Sequence, residues 1–332
     1  KFAESYRAAN SGVYGKMYHL MNTYDPVTGQ YMLANKPETM NAYLRDAEYR
    51  NTDWFDLLFS NSVSQNHAVS MSTGTDKASY YTSLSVLNDP GWYSQSSVQR
   101  YTANMNALYN IFKNFSLNLI GNVSYRKQKA PGALGSQTDP VSGEVKRDFD
   151  INPYSFALNT SRTLDPDEYY VRNYAPFNIF HELENNYMDL NVVDMRFQGE
   201  ARWKIIPKVE VSALGAYKYS TTTQTHSITD HSNQAWAFRA MDDATMRNAN
   251  PWLYTDPDNT NSLPVSVLPV GGFYRETKYG MSSYDFRATM TYNDVYKDDH
   301  ILNVFGGMEL NGTDRSRSWF NGVGMQYDMG ML

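Results

Sequence analysis

The sequence predicts an all-β fold, a transmembrane antiparallel β-barrel segment with long extracellular loops, and three observations predict it. The first is alternation. Val193, Met195, Phe197, Ala201, Trp203 and Ile205 are apolar, with Gly199 among them, and between them sit Asp194, Arg196, Gln198, Glu200, Arg202 and Lys204. Period two describes a strand with one face in an apolar medium and the other in a polar one. The second is length: a tilted strand needs about 9–11 residues to cross a bilayer, whereas a typical soluble strand has about 5–6. The third is that connections between such runs alternate short and long. Outer-membrane barrels have short periplasmic turns and long extracellular loops.

Taken in order, residues 1–64 show no long alternation and are expected to form an extracellular loop segment. Within it, residues 38–59 could hold one or two short helices, with Pro37 and Glu38 as the start signal. Residues 65–332 are expected to be barrel strands and loops. The first strand runs from Gln65 to Thr73 and carries His67, Val69 and Met71 on one face. After Gly74-Thr75-Asp76-Lys77 comes Ala78 to Asn88, with Tyr80, Leu84 and Val86 together. Val98 to Ile111 sets Tyr101, Ala103, Met105, Ala107 and Tyr109 against Thr102, Asn104, Asn106 and Asn110.

Lys113-Asn114 then turns the chain into Phe115 to Arg126, with Phe115, Leu117, Leu119, Val123 and Tyr125 outward. The fifth strand is the opening run, extended back to Asp189, and Pro207-Lys208 turns it into the sixth, Val209 to Ser220. Ser283 to Tyr296 places Tyr284, Phe286, Ala288, Met290 and Tyr292 together, and Lys297-Asp298-Asp299 leads into the eighth strand, His300 to Asn311. The longer connections fall at 89–97, 127–188 and 221–282. Loops of about sixty residues are uncommon in compact soluble domains and usually functional. All 13 prolines lie outside the strands so drawn, as the ladder requires of a residue that cannot donate. The alternation places Phe197 toward lipid and Gln198 toward the lumen.

Composition agrees with a barrel. The 332-residue chain has 27 Tyr and 6 Trp, rings with a polar edge that suit interfacial girdles. Its mean hydropathy is −0.59, the hydrophilic average expected when apolar surface is dispersed by alternation. No run is apolar and long enough for a transmembrane helix. Cysteine is absent, which removes disulfides, thiolate metal sites and cysteine nucleophiles. A net charge of −6 without a basic block argues against nucleic acid as a partner. No signal peptide precedes Lys1, so the chain is expected either to be processed or to belong to a longer one.

The chemistry expected of the side chains is binding rather than catalysis, with no cofactor and no metal site assigned. Trp236, Phe238, Trp252 and Tyr254 in the 221–282 loop could stack on sugar faces or grip a peptide; the competing reading packs them within the loop. Tyr169, Tyr170, Tyr174 and Phe177 in the other long loop carry the same two readings. His181-Glu182-Leu183-Glu184 lacks the second His of a zincin and reads as a polar loop. His226, Asp230 and His231 could ligate a metal, but a solvated loop is the plainer reading. Residues 256–261 offer hard oxygens for Ca²⁺ and equally suit ordinary turns. Asp299-His300, an acid–His pair, falls at an expected periplasmic turn. Arg196, Glu200, Arg202 and Lys204 are expected to face the lumen.

Asn51-Thr52-Asp53-Trp54, Gln65-Asn66-His67 leading into a strand, Gly74-Thr75-Asp76-Lys77, Tyr80-Tyr81 and Asn88-Asp89-Pro90-Gly91 are together familiar. In order and spacing over about 51–126 they resemble the SusC-like (RagA-type) TonB-dependent outer-membrane transporters. Thr73-Gly74 stands where that family often has Gly-Gly, and Asn-Asp-Pro-Gly where Asn-Gln-Glu-Gly is usual. The resemblance implies a 22-stranded plugged barrel, of which this chain supplies about eight strands that pair at both edges with the remaining barrel. It implies outer-membrane lipid around the wall, a SusD-like surface lipoprotein as lid, and TonB acting through a plug outside this chain. The cargo would be an oligosaccharide or peptide. Two readings stay open beside it: a stand-alone eight-stranded barrel, adhesin or envelope enzyme, and a soluble carbohydrate-binding β-sandwich.

Overall fold

The computed structural model describes residues 8–132, 137–138, 145–146, 149, 151–296 and 300–330. Eight strands make one antiparallel sheet: β1 (Gln65–Gly74), β2 (Ala78–Asp89), β3 (Ser97–Phe112), β4 (Phe115–Pro131), β5 (Asn186–Ile206), β6 (Val209–Ile228), β7 (Gly272–Tyr296) and β8 (His300–Met325). Sheet order follows chain order throughout, and β1 and β8 are edges that do not pair with each other. Among the described residues the sheet is therefore an open meander. The turn expected at Lys297-Asp298-Asp299 lies outside the described residues.

Several strands outrun their expected bounds. β5 begins at Asn186 rather than Asp189, β6 continues to Ile228 rather than Ser220, β7 begins at Gly272 rather than Ser283, and β8 continues to Met325 rather than Asn311. The added residues of β6 are polar on both faces, as in Thr221-Thr222-Thr223-Gln224-Thr225, and those of β7 and β8 carry scattered rings such as Tyr279 and Trp319 without sustained alternation. Alternation reports a strand only where its two faces meet different media, so the signal stops where the apolar medium does. β4 likewise continues to Pro131, which pairs with Tyr187 at the strand's end. A proline thus does enter the sheet, at a terminus where a missing donor costs least.

Register fixes the faces. Met71, Thr82, Met105, Gly121, Phe197, Tyr217 and Tyr284 stand in one cross-strand row. The rows two positions away in either direction are likewise mostly apolar, and Phe197 stays 51% exposed on this face. The alternate rows are polar. Asn104 donates to Ser83 Oγ at 3.1 Å, and Asn122 donates to Asn104 Oδ1 at 2.9 Å. Arg202 pairs with Glu200 at 2.7 Å and Arg287 with Glu309 at 3.1 Å. These solvent-accessible pairs are each worth about 0–1 kcal/mol, so they make the face wettable rather than stable.

Aromatic rings bound the apolar band. At one edge Tyr101 stacks on Tyr125, with centroids 6.3 Å apart. Tyr125 aligns through Val193 with Thr221, two residues beyond Tyr219, and Tyr219 aligns with Ser282, two residues beyond Tyr284. The edge therefore steps toward the short turns from strand to strand. At the other edge Tyr80 packs against Tyr109 at 5.3 Å, Phe115 aligns with Trp203, and Tyr292 sits two residues beyond Trp203's row. A parallel drift of both edges is the stagger of strands tilted against a membrane normal. Tyr125 and Phe115 are separated by about 34 Å of strand at about 3.4 Å per residue. Tilted about 45°, that is about 24 Å, close to the roughly 25 Å apolar band of such walls.

A cap of loops lies beyond the band, on the side opposite the short turns. The N-terminal segment contributes α1 (Val13–Asn22), α2 (Pro37–Tyr49) and α3 (Trp54–Leu58). α2 starts at Pro37 as the sequence indicates; α1 has no start signal because Gly12 supplies no side-chain cap. The connection from β4 to β5 holds α4 (Pro153–Asn159), a hairpin of Tyr170–Arg172 with Ala175–Phe177, and α5 (Ile179–Asn185). The connection from β6 to β7 holds α6 (Asn233–Arg239) and α7 (Ala244–Ala249).

Asn51-Thr52-Asp53-Trp54 joins the N-terminal segment to the first long loop. Asn51 Oδ1 accepts from Arg162 at 3.2 Å, and Thr52 donates through Oγ1 to Leu164 O at 2.7 Å. Asp53 caps α3 by accepting from the N–H groups of Phe55 and Asp56. Trp54 is buried with Leu58, Ile151, Ala157, Phe177, Ile179 and Leu183.

Candidate functional site

The cap gathers the aromatic residues of both long loops. Trp236, on α6, stacks on His181 of α5 with centroids 5.3 Å apart, and Tyr169 meets His181 edge to face at 5.5 Å. Trp252 stacks on Phe238 at 5.7 Å and touches Phe149 at 4.9 Å and Tyr174 at 5.4 Å. Phe238 also meets Phe273 at the start of β7, at 5.2 Å. Phe238 and Trp252 thus pack the loop core, whereas Trp236 lines a cleft of 510 Å³ with Tyr169, Tyr174, Pro176, Arg239 and Asp242. Tyr254 stands apart, 52% exposed, on a two-residue ladder with Val265. Of the other expected aromatics, Phe177 is buried in the cluster around Trp54, and Tyr170 accepts Asp165 N–H at its hydroxyl, 2.8 Å away. A larger cavity of 650 Å³ lies where the N-terminal segment meets the first loop, over Trp54 and Phe177; it belongs to the packing of that junction.

A buried polar hub holds the two loops together. Glu182, 2% exposed on α5, accepts the backbone N–H of Asn233 at 2.7 Å and the amide of Asn186 at 3.3 Å. The Asn233 amide donates to the carbonyls of Arg172, Ala175 and Pro176. Asn186 Oδ1 lies 2.6 Å from His226 Nε2. Burial raises the Glu182 carboxyl to about 7, against the hydrogen bonds that favour its charged form. Burial, and next the charge of nearby His231, lower His181. Residues 181–184, expected as a polar loop, are therefore a helix whose Glu182 and Leu183 face inward. Short sequence patterns hide this, because a glutamate is buried only when distant donors arrive to meet it.

The His226, Asp230 and His231 group, read from sequence as a solvated loop rather than a metal site, is rearranged in the structure. His226 is committed to Asn186, but Asp230 and His231 are joined by Asp328, and the ligand atoms of these three lie within 4.8 Å of one another. Asp328 comes from beyond β8, a partner that sequence spacing could not supply. Asp256 Oδ1 accepts Asp258 N–H at 2.9 Å, ordinary turn geometry. Asp299 lies outside the described residues, and His300 opens β8 as an exposed residue.

No family model matches the chain. It is 28% identical over 195 residues to the TonB-dependent receptor SusC of Bacteroides thetaiotaomicron, covering 55% of this chain and 19% of that protein. It is 40% identical over 53 residues to the TonB-dependent receptor P26 of Formosa agariphila, covering 16% and 5%. Among solved structures, that of the RagAB peptide transporter matches with a TM-score of 0.59 at 16% identity, over 90% of this chain and 30% of the other. That of the RagAB peptide importer in a closed-closed state matches with a TM-score of 0.60 over 86% and 28%. The chain spans about a fifth of the length of SusC. With the apolar band, the girdles and the Asn51–Trp54 clamp, these likenesses make the chain similar to part of the outer-membrane barrel wall of TonB-dependent receptors of the SusC kind, with the fold found in RagAB.

Proposed function

We propose that the assembled protein imports an oligomeric nutrient, an oligosaccharide or an oligopeptide, across the outer membrane, and that this chain supplies wall and capture loops. The observation that carries the reading is the cleft around Trp236, built where two long loops converge beyond the apolar band. The half-buried Trp236, beside Arg239, Asp242 and two tyrosines, can stack on a sugar ring or hold a peptide side chain while polar groups fix orientation. In this reading the cap, including residues 8–64, is extracellular and the short turns are periplasmic. A SusD-like lipoprotein closes over the cap, and TonB acts on a plug held by the polar face. SusC and P26, both TonB-dependent receptors, support the receptor role, and RagAB, a peptide transporter, supports the peptide alternative.

The test is uptake by cells carrying Trp236→Ala in the complete transporter. Normal surface abundance with weakened cargo retention is expected. Unchanged uptake of every oligosaccharide and oligopeptide that the wild type imports would overturn the assignment of the cleft.

A further inference from the structure

We propose that Asp230, His231 and Asp328 form a divalent-cation site of the zinc type, tying the connection that leaves β6 to the segment that leaves β8. These strands are not neighbours, because β7 lies between them. The donors meet because both flanking backbones are held. On one side Thr229 N–H donates to Asn185 O at 2.8 Å, and Arg239 donates to the carbonyl oxygens of Asp230 at 2.6 Å and Gly271 at 3.0 Å. On the other, the Tyr327 hydroxyl donates to Phe273 O at 2.6 Å, fixing the single turn Tyr327–Met329 that carries Asp328.

Three features favour a cation over a simple ion pair. His231 Nε2 already lies 2.7 Å from Asp328 Oδ2, and all three donor atoms fall within 4.8 Å of one another. Donors about 2.0–2.2 Å from one Zn²⁺ lie up to about 4 Å apart. A shift of under about 1 Å then suffices, and the His231 and Asp328 side chains are 51% and 66% exposed and able to make it. Second, and independently, Asp230 Oδ1 is buried without a hydrogen-bond partner. A desolvated carboxylate oxygen lacking a donor is costly, and the adjacent Arg239 commits two donors to backbone carbonyls rather than to it. Third, one imidazole and two carboxylates suit Zn²⁺, whereas Ca²⁺ takes about 6–8 oxygens. Three protein ligands leave a position open toward the cleft lined by Trp236, Arg239, Gln326 and Met329. A cation there would brace the cap across β7.

The experiment uses the complete transporter in detergent, stripped with a chelator and titrated with Zn²⁺, and with Co²⁺ as a spectroscopic probe. One Zn²⁺ per transporter is expected, with Co²⁺ giving the visible absorption of imidazole–carboxylate coordination. His231→Gln and Asp328→Asn should each weaken Zn²⁺ by at least the roughly 10–100-fold that loss of an outer-shell partner costs. Heat-modifiable gel mobility reports whether each variant remains folded, and Asp328→Asn, at the more exposed position, serves if His231→Gln does not. Equal Zn²⁺ binding by wild type and variants overturns the site, as does a wild type that binds no Zn²⁺ or takes up Ca²⁺ in its place.

Discussion

The indole Nε1–H of Trp54 donates to the carbonyl oxygen of Ser161 at 3.0 Å, across 107 positions of chain. This contact closes the N-terminal segment onto the first long loop, and Trp54 is only 4% exposed beneath it. The sequence feature that carries the resemblance is thus a fastening between two parts of the cap.

Trp54→Ala should loosen that fastening. Truncating a buried tryptophan costs about 3–5 kcal/mol, and here it also strands the Ser161 carbonyl. Amide exchange in residues 151–185 should accelerate strongly, with Trp54→Phe showing a smaller effect because it keeps most of the apolar contact. Equal protection in wild type and Trp54→Ala would remove the fastening role.

Lipid and lumen faces are separable by charge. Phe197→Arg sets a cation on the apolar band at a cost of about 2–4 kcal/mol near the midplane. Gln198→Arg adds the same charge to a face that already carries Arg196 and Arg202. A refolding titration into bilayers should show impaired assembly for the first and near-normal assembly for the second. Equal tolerance would count against the assignment of faces.

The cap should weaken as pH rises. Glu182 has its carboxyl raised from 4.5 to about 7 in the folded state. Between those values the folded protein holds a proton that the unfolded chain has released, so stability falls with rising pH. The loss begins near the lower value and is complete above about 7. Exchange protection of α5 and α6 measured from acid to neutral pH should show this slope. Glu182→Gln, which keeps an acceptor for Asn233 N–H, should flatten it.

Gly132 is a steric prediction. A Cβ at this position would run into Asn186 Oδ1 and His226 Nε2, while Gly132 N–H bonds to Asn186 O at 2.9 Å. Gly132→Ala should therefore displace the polar hub, at about 1–3 kcal/mol as overpacking usually costs. The readout is protection of Asn233 N–H, which is lost if Glu182 moves and retained if the hub is indifferent to Gly132.

Much of the wall was legible in the sequence. Each of the eight strands was placed, because alternation in Val193–Ile205 and its counterparts records two media on two faces. The Asn51–Trp54 segment, the helix start at Pro37 and the aromatic edges were legible as well. The strand extensions above the band were not, since Thr221–Thr225 meets similar surroundings on both sides. Neither was the burial of Glu182, whose partner Asn233 comes from the other long loop, nor the replacement of His226 by Asp328 beside Asp230 and His231.

By itself the sequence determined that hairpins of membrane-spanning length would form, because side-chain alternation is a local property of a strand and needs no partner to be read. The tertiary structure decided which loop residues pack and which line a cleft. Trp252 and Trp236 are chemically alike, but Phe149, Tyr174 and Phe238 converge on the first, while the second stacks on His181 and keeps a side toward the cleft. That difference depends on segments brought together across long stretches of chain, and no local pattern encodes such an encounter.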